Sequence, residues 1–226
     1  MRTLVTGGGS GIGQAVADLL HARGDDLVLL ARNEERAADL AQRYAGADVR
    51  VADLAVPALL AASVADIDRL DAVVHAAGVI ELGSVADLRL EDLTGQLDVN
   101  LVAPTELTRA LLPALRASRG QVLFLNSSAG LFANAGWGAY AATKFGLKAI
   151  ADSLRAEEAE AGVRVTSVYL GRVSTPMQAK VREQEGQPYD AADWASPESA
   201  AATIVHVLDL PPDATVPDIR FRPAPR

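Results

Sequence analysis

Apolar positions along the chain follow two rhythms. Short β-branched or Leu-rich runs at Thr3–Thr6, Leu27–Ala31, Val49–Ala52, Ala72–His75, Gln121–Asn126, Arg164–Leu170 and Asp218–Arg222 predict strands. Between the first two, Ile12, Ala15, Val16, Leu19 and Leu20 recur at i, i+3, i+4, i+7 and i+8, one face of a helix, and Gly24 supplies the stop. Similar patterns predict helices over 34–44, 86–99, 104–118, 138–161 and 197–208. Strand–helix alternation along the whole length predicts an α/β fold: a doubly wound, mostly parallel sheet with helices on both faces. No linker or repeat divides the chain, so residues 1–226 read as one domain. Its most irregular, polar stretch is 176–197, and Pro211-Pro212 precedes the last strand.

Composition narrows the chemistry. With 226 residues, half of them apolar, the chain can bury a full core without staples. It has no Cys, which removes disulfides, thiolate catalysis and cysteine-ligated metals, and fits a reducing compartment. The net charge is −8, and the 21 basic residues are scattered, which disfavours nucleic acid as a partner. No apolar run approaches the ~20 residues that span a bilayer, and no secretion signal opens the chain. The expectation is a soluble, cytoplasmic, globular protein. His21 and His206 lie on helical patterns without ligand partners, so no metal site is expected.

The first strand runs into Thr6-Gly7-Gly8-Gly9-Ser10-Gly11-Ile12-Gly13. Glycines after a strand and before a helix allow a tight turn and close approach of backbone N–H groups to a pyrophosphate, which the helix start then holds. The spacing is G-x3-G-x-G rather than the more usual G-x-G-x-x-G. At the end of the second strand, where dinucleotide folds often place an acid for the ribose, this chain has Ala31-Arg32. A guanidinium there suits a 2′-phosphate, favouring NADP(H), with NAD(H) as the alternative.

A second constellation is Asn126-Ser127-Ser128-Ala129-Gly130 followed by Tyr140-Ala141-Ala142-Thr143-Lys144. Tyr and Lys at i, i+4 share one helix face. A phenol is ordinarily a poor base at neutral pH, and a nearby ammonium favours its ionised form. Such a Tyr can exchange a proton with an alcohol or carbonyl oxygen, and a Ser hydroxyl can hold that oxygen as charge develops.

The order of these motifs, with His75-Ala76-Ala77-Gly78 after the fourth strand and Asn100, resembles the short-chain dehydrogenase/reductase family in its compact single-domain branch. The resemblance covers essentially the whole chain. It implies a Rossmann-type sheet of about seven strands, a nicotinamide cofactor and reversible carbonyl reduction. By position it assigns Tyr140 as proton donor and acceptor and Lys144 as the residue that lowers the Tyr140 pKa and bonds the nicotinamide ribose. Ser127, thirteen before Tyr140 and three before Gly130, fits the family's serine, and Ser128 does not. Asn100 is matched to the residue holding a water that links Lys144 to solvent. Cofactor contacts are expected from Gly7, Gly9, Ser10, Gly11, Ile12, Gly13, Arg32, Asp53, Leu54, Ala76, Ala77, Gly78, Tyr140 and Lys144. In Gly171-Arg172-Val173-Ser174-Thr175, which resembles the family's nicotinamide-carboxamide segment, Gly171, Val173 and Thr175 take that role.

Two positions depart from the family pattern. His75 replaces an Asn and is read as a hydrogen-bonded structural histidine; Leu170 replaces a Pro, a change expected to loosen its turn. Residues 176–197 are expected to form a substrate lid, with Phe132, Trp137, Met177, Tyr189 and Trp194 as candidate pocket residues. Assembly into a homodimer or homotetramer through 104–118 and 138–161 is also implied. A sugar-nucleotide epimerase of the larger related branch needs more chain than the roughly 50 residues after the sixth strand. A catalytically idle dinucleotide sensor would lack Ser, Tyr or Lys, and all three are present.

Overall fold

The computed structural model describes residues 1–224. Seven parallel strands form one sheet in the order β3-β2-β1-β4-β5-β6-β7. They are β1 (Arg2–Thr6), β2 (Asp26–Ala31), β3 (Asp48–Val51), β4 (Ala72–His75), β5 (Gln121–Ser127), β6 (Arg164–Leu170) and β7 (Asp218–Phe221). All seven expected strands form, and no bound differs from the sequence reading by more than one residue.

Strand side chains alternate between two cores. Val5, Leu29, Leu123 and Val168 pack under α1 (Gly11–Ala22) and α8 (Pro197–Leu208). Leu4, Val28, Val73, Phe124 and Val165 pack under α5 (Ala103–Ser118) and α6 (Gly138–Glu157). Both faces are covered, which is why these strands read as continuous apolar runs.

The helices differ more from expectation. The helix expected over 86–99 begins later, as α4 (Leu90–Leu97), because Ser84 and Asp87 bond each other at 2.6 Å in a turn of their own. A π-helical turn, Asp98–Val102, then carries the chain into α5. The α6 helix stops at Glu157 rather than 161, where Val163 N–H bonds the Glu158 carbonyl and Gly162 takes a positive φ. Two other helices, α2 (Glu34–Arg43) and the short α3 (Leu60–Ser63), flank β3. The stretch 176–197, expected to be irregular, contains the nine-residue α7 (Pro176–Gln184). Pro176 occupies its first position, and the Thr175 hydroxyl accepts from Gln178 N–H at 3.2 Å as its cap. Among the described residues no helix is long and apolar enough to cross a membrane.

Candidate active site

The strand order reverses direction at β1, with β2 on one side and β4 on the other, and a cleft of about 430 Å³ opens beyond the carboxyl ends of β1, β4, β5 and β6. Gly7, Ser10, Gly11, Ile12, Gly13, Ala76, Ala77 and Gly78 line one side. Ser127, Tyr140, Lys144, Gly171, Val173 and Thr175 line the other.

The glycine turn is held by backbone geometry. A Cβ on Gly13 would sit 2.4 Å from the Gly7 carbonyl oxygen, so only glycine lets α1 start this close to the end of β1. Ser10 precedes the helix without a side-chain cap, which leaves the first-turn N–H groups free for an anion. Thr6 was not singled out from sequence. Its hydroxyl accepts from Ala76 and Ala77 N–H, both at 3.1 Å, and so ties the β4 turn to the β1 turn. This cradle fits a dinucleotide pyrophosphate.

Arg32 is exposed just after β2, and its side chain makes no hydrogen bond or ion pair among the described residues. Arg36, on the first turn of α2, places Nη2 3.6 Å from the position a Gly9 Cβ would take. The Arg36 guanidinium, which also pairs with Asp39 at 3.3 Å, therefore stands by the glycine turn, while Arg32 follows the end of the neighbouring strand β2. The only signal for Arg36 was its position one turn beyond Asn33, whose side chain caps α2 by accepting from Arg36 N–H at 2.9 Å. Asp53 and Leu54 lie outside the cleft. Asp53 is exposed and accepts from Ala55 N–H at 2.9 Å, and Leu54 packs against the α5-side core.

On the opposite wall, Asn126 ties together the segments that carry Ser127 and Lys144. Its Oδ1 accepts from Ser127 N–H at 2.7 Å, while its Nδ2 donates to the Lys144 carbonyl at 3.1 Å. Gly130 makes this approach possible: a Cβ there would lie 2.5 Å from Asn126 Oδ1 and 2.8 Å from the Lys144 carbonyl oxygen. Ser127 Oγ accepts from Ala129 N–H at 3.1 Å, which fixes its rotamer. Lys144 is buried, donates from Nζ to the Leu125 carbonyl at 2.9 Å, and sits 5.7 Å from the centre of the Tyr140 ring.

The electrostatics differ from the sequence expectation. Burial pushes the Tyr140 phenol up to about 12, with the Ser127 hydroxyl opposing as the smaller effect. Lys144, expected to lower Tyr140, is itself depressed to about 8 by burial. Both groups lose hydration, and the ammonium is directed at the Leu125 carbonyl. The site as folded holds a protonated phenol.

Asn100 lies in the π-helical turn, fully buried. Its Nδ2 donates to the Val79 carbonyl at 2.8 Å and to Thr143 Oγ1 at 3.2 Å, and its Oδ1 accepts from Val79 N–H at 2.8 Å. It thus joins the chain after β4 to the helix that carries Tyr140 and Lys144. His75 is buried and structural: Nε2 is 2.8 Å from Thr108 Oγ1, the ring stacks on Phe124 at 5.0 Å, and burial lowers its pKa to about 3. Leu170 does not loosen its turn. It continues β6 between Ser127 and Phe221, and Gly171 N–H then bonds the Phe221 carbonyl at 2.7 Å. Of the candidate pocket residues, Phe132, Trp137 and Met177 line the cleft. Tyr189 and Trp194 do not, and Trp194 instead packs on Arg172 and Arg182. Among the described residues no group of three or more His, Cys, Asp or Glu is arranged to hold a metal.

Comparison with known proteins points to one family. The short chain dehydrogenase family model matches residues 2–186. An oxidoreductase of Staphylococcus epidermidis is 33% identical over 226 residues, covering 97% of this chain and 96% of that protein. A putative NAD(P)-dependent gluconate 5-dehydrogenase from Beutenbergia cavernae, solved with bound NADP, is 28% identical, with a TM-score of 0.85 over 97% of this chain and 94% of that one. A serine dehydrogenase complexed with NADP+ shares the fold at 22% identity, with a TM-score of 0.88 over 99% and 95% of the two chains. A seven-stranded Rossmann-type sheet, a glycine cradle for a nicotinamide dinucleotide and this kinship place the chain in the short-chain dehydrogenase/reductase family, as an oxidoreductase.

Proposed function

We propose that the protein interconverts a ketone or aldehyde and its alcohol with NADP(H), using Ser127, Tyr140 and Lys144. The observation that carries this reading is the meeting of all three side chains in one cleft that the glycine cradle also lines. The nicotinamide ring, when bound, supplies or accepts the hydride. In reduction, the Tyr140 phenol gives its proton to the carbonyl oxygen as negative charge develops there, and Ser127 donates a hydrogen bond to the same oxygen. Its raised pKa keeps Tyr140 protonated, and so ready to donate, through neutral pH. The Lys144 ammonium stabilises the phenolate left behind. Asn100 positions this helix, and its Oδ1 keeps a second lone pair on which a water can carry the proton onward.

For the cofactor, Arg36 beside the glycine turn and Arg32 just after β2 support NADP(H) over NAD(H), because guanidinium groups suit a 2′-phosphate. Gly171, Val173 and Thr175 are assigned to the nicotinamide carboxamide, and Asp53 and Leu54 to the adenine side. Val102 and Phe145, large apolar side chains left exposed at the start of α5 and on α6, support pairing of copies through these helices, which light scattering will read.

The direct test is a panel of ketones and aldehydes with NADPH, followed by nicotinamide absorbance. Turnover of at least one, lost in Tyr140→Phe, is the expected result. Absence of turnover across the panel overturns the reading.

A further inference from the structure

The wall of the cleft contributed by the β6–α7 connection carries charge that the reaction above does not use. Arg172 lines the cleft two residues after Leu170. Its Nη1 and Nη2 donate to the two carboxylate oxygens of Glu185 at 2.9 and 2.6 Å. Arg182 donates to the same carboxylate at 3.0 Å. Two guanidinium groups therefore share one acid, and the cluster keeps an excess positive charge. The bond to Glu185 uses the end of the Arg172 fork. None of its bonds among the described residues uses Nε, so the Nε edge keeps donors in a planar pair.

An independent feature lies on the same wall. Gln178 is 7% exposed, lines the cleft, and its Nε2 has no hydrogen-bond partner. A buried amide N–H without a partner costs stability unless something bonds it, and Gln178 belongs to the cleft wall, where a small turn of its side chain brings the amide to a ligand. Trp137 bridges this corner to the reactive phenol: its ring is 6.1 Å from that of Tyr140, and the Arg172 guanidinium carbon lies 5.9 Å from its centre. One indole ring therefore links the charge to the phenol.

We propose that the substrate is a short hydroxy or keto acid, whose carboxylate is received by the free edge of Arg172 and the amide of Gln178 while its carbonyl or hydroxyl faces Ser127 and Tyr140. This names the substrate class for the oxidoreductase reading above and rests on it. A carboxylate matches a planar guanidinium edge with two parallel hydrogen bonds, and its second lone pairs suit the Gln178 N–H. Glu185 is the positioning residue: by holding the end of the fork it fixes where the free edge points. Arg172 determines specificity and takes no part in proton or hydride transfer.

The two tryptophans of the chain, Trp137 and Trp194, both lie against Arg172, so intrinsic fluorescence reports on this corner without turnover. The protein saturated with NADP+ is titrated with 4-oxopentanoate and with its methyl ester. Reduction of both compounds with NADPH is measured in parallel. The acid is expected to bind about tenfold or more tighter than the ester and to win by a similar factor in kcat/KM, mainly through KM. Arg172→Gln is expected to bring the acid-to-ester ratio toward one. Arg172→Lys, which keeps the charge but not the fork, should restore part of it. Equal binding of acid and ester by the unaltered protein, or a ratio unchanged in Arg172→Gln, overturns the proposal. These outcomes need no turnover. A site that binds the acid yet reduces no carbonyl compound defeats the oxidoreductase reading instead, so the two failures are told apart.

Discussion

The two walls of the cleft are built from different materials. The β1–β4 wall is backbone: glycines, a helix start without a side-chain cap, and two alanine N–H groups held by the Thr6 hydroxyl. The β5–β6 wall is side chain: a Ser–Tyr–Lys set held by Asn126, and beyond it an Arg–Glu–Arg cluster that brackets α7. Backbone walls hold a ligand part that is always the same, a pyrophosphate. Side-chain walls can be altered one residue at a time, which is where substrates are told apart.

The sharpest test of this division is Tyr140→Phe. Removing the only phenol in the reactive set should cost about a thousandfold in turnover, while NADP+ binding, measured by titration, stays within a few-fold. Comparable losses in both would show that the walls are not separable. Next in size is Gly130→Ala. The added methyl would lie inside contact distance of Asn126 Oδ1 and the Lys144 carbonyl, so a destabilisation of about 3 kcal/mol or more is expected from denaturant melts, together with loss of activity. An unperturbed melt would mean that the β5–α6 contact is looser than its geometry.

Arg32→Ala probes the cofactor wall. It should weaken NADPH by about ten- to a hundredfold and NADH little. Equal effects on both would remove the 2′-phosphate assignment, and Arg36→Ala should show the same bias more weakly.

Lys144 gives a signed pH prediction. Its folded pKa, about 8, lies below its ordinary value, so the charged form is disfavoured on folding. At pH 7 that cost is fully present. It is relieved as pH rises from about 8 toward the ordinary lysine range, where the unfolded chain holds more protons than the folded one. Lys144→Met should therefore lose activity yet melt a few degrees higher at pH 7, a gain of about 1–3 kcal/mol. In the unaltered protein, reduction should hold steady through neutrality and decline above pH 8 as the ammonium deprotonates. A lower melting temperature in Lys144→Met would count against the burial cost. The smallest effect is reserved for Ser128→Ala, which should retain activity within a few-fold, since it is Ser127 that Asn126 holds in place.

How far the sequence could be read follows the same division. The strands were legible because both sheet faces are covered, so the central strands are apolar through most of their length. The glycine turn was legible because only glycine permits its contacts. The meeting of Ser127, Tyr140 and Lys144 in one cleft was expected from the family resemblance that their order and spacing carry. What could not be read were relations between distant segments. Asn126 stood in plain view, but its joining of Ser127 to Lys144 depends on the packing of α6 against β5. The direction of the Tyr140 shift also escaped, because spacing brings a cation near without showing how deeply both groups are buried. α7 was hidden in a polar stretch that has little helical periodicity. The Arg172–Glu185 pair spans that helix, so nothing in the linear pattern marked it.

The segment between β6 and α8 has closed ends. Val173 pairs with Ala195, and Ser174 N–H bonds the Ala195 carbonyl at 2.8 Å, so the chain leaves and rejoins the sheet region at nearly one point. Everything between is a cassette whose removal breaks no strand pairing. Exchanging residues 175–194 for a relative's segment of another length should therefore change which acid or ketone is accepted while the fold persists, since a longer loop between fixed ends adds little entropy cost. Such a chain can acquire new chemistry at its rim without rebuilding what lies beneath it.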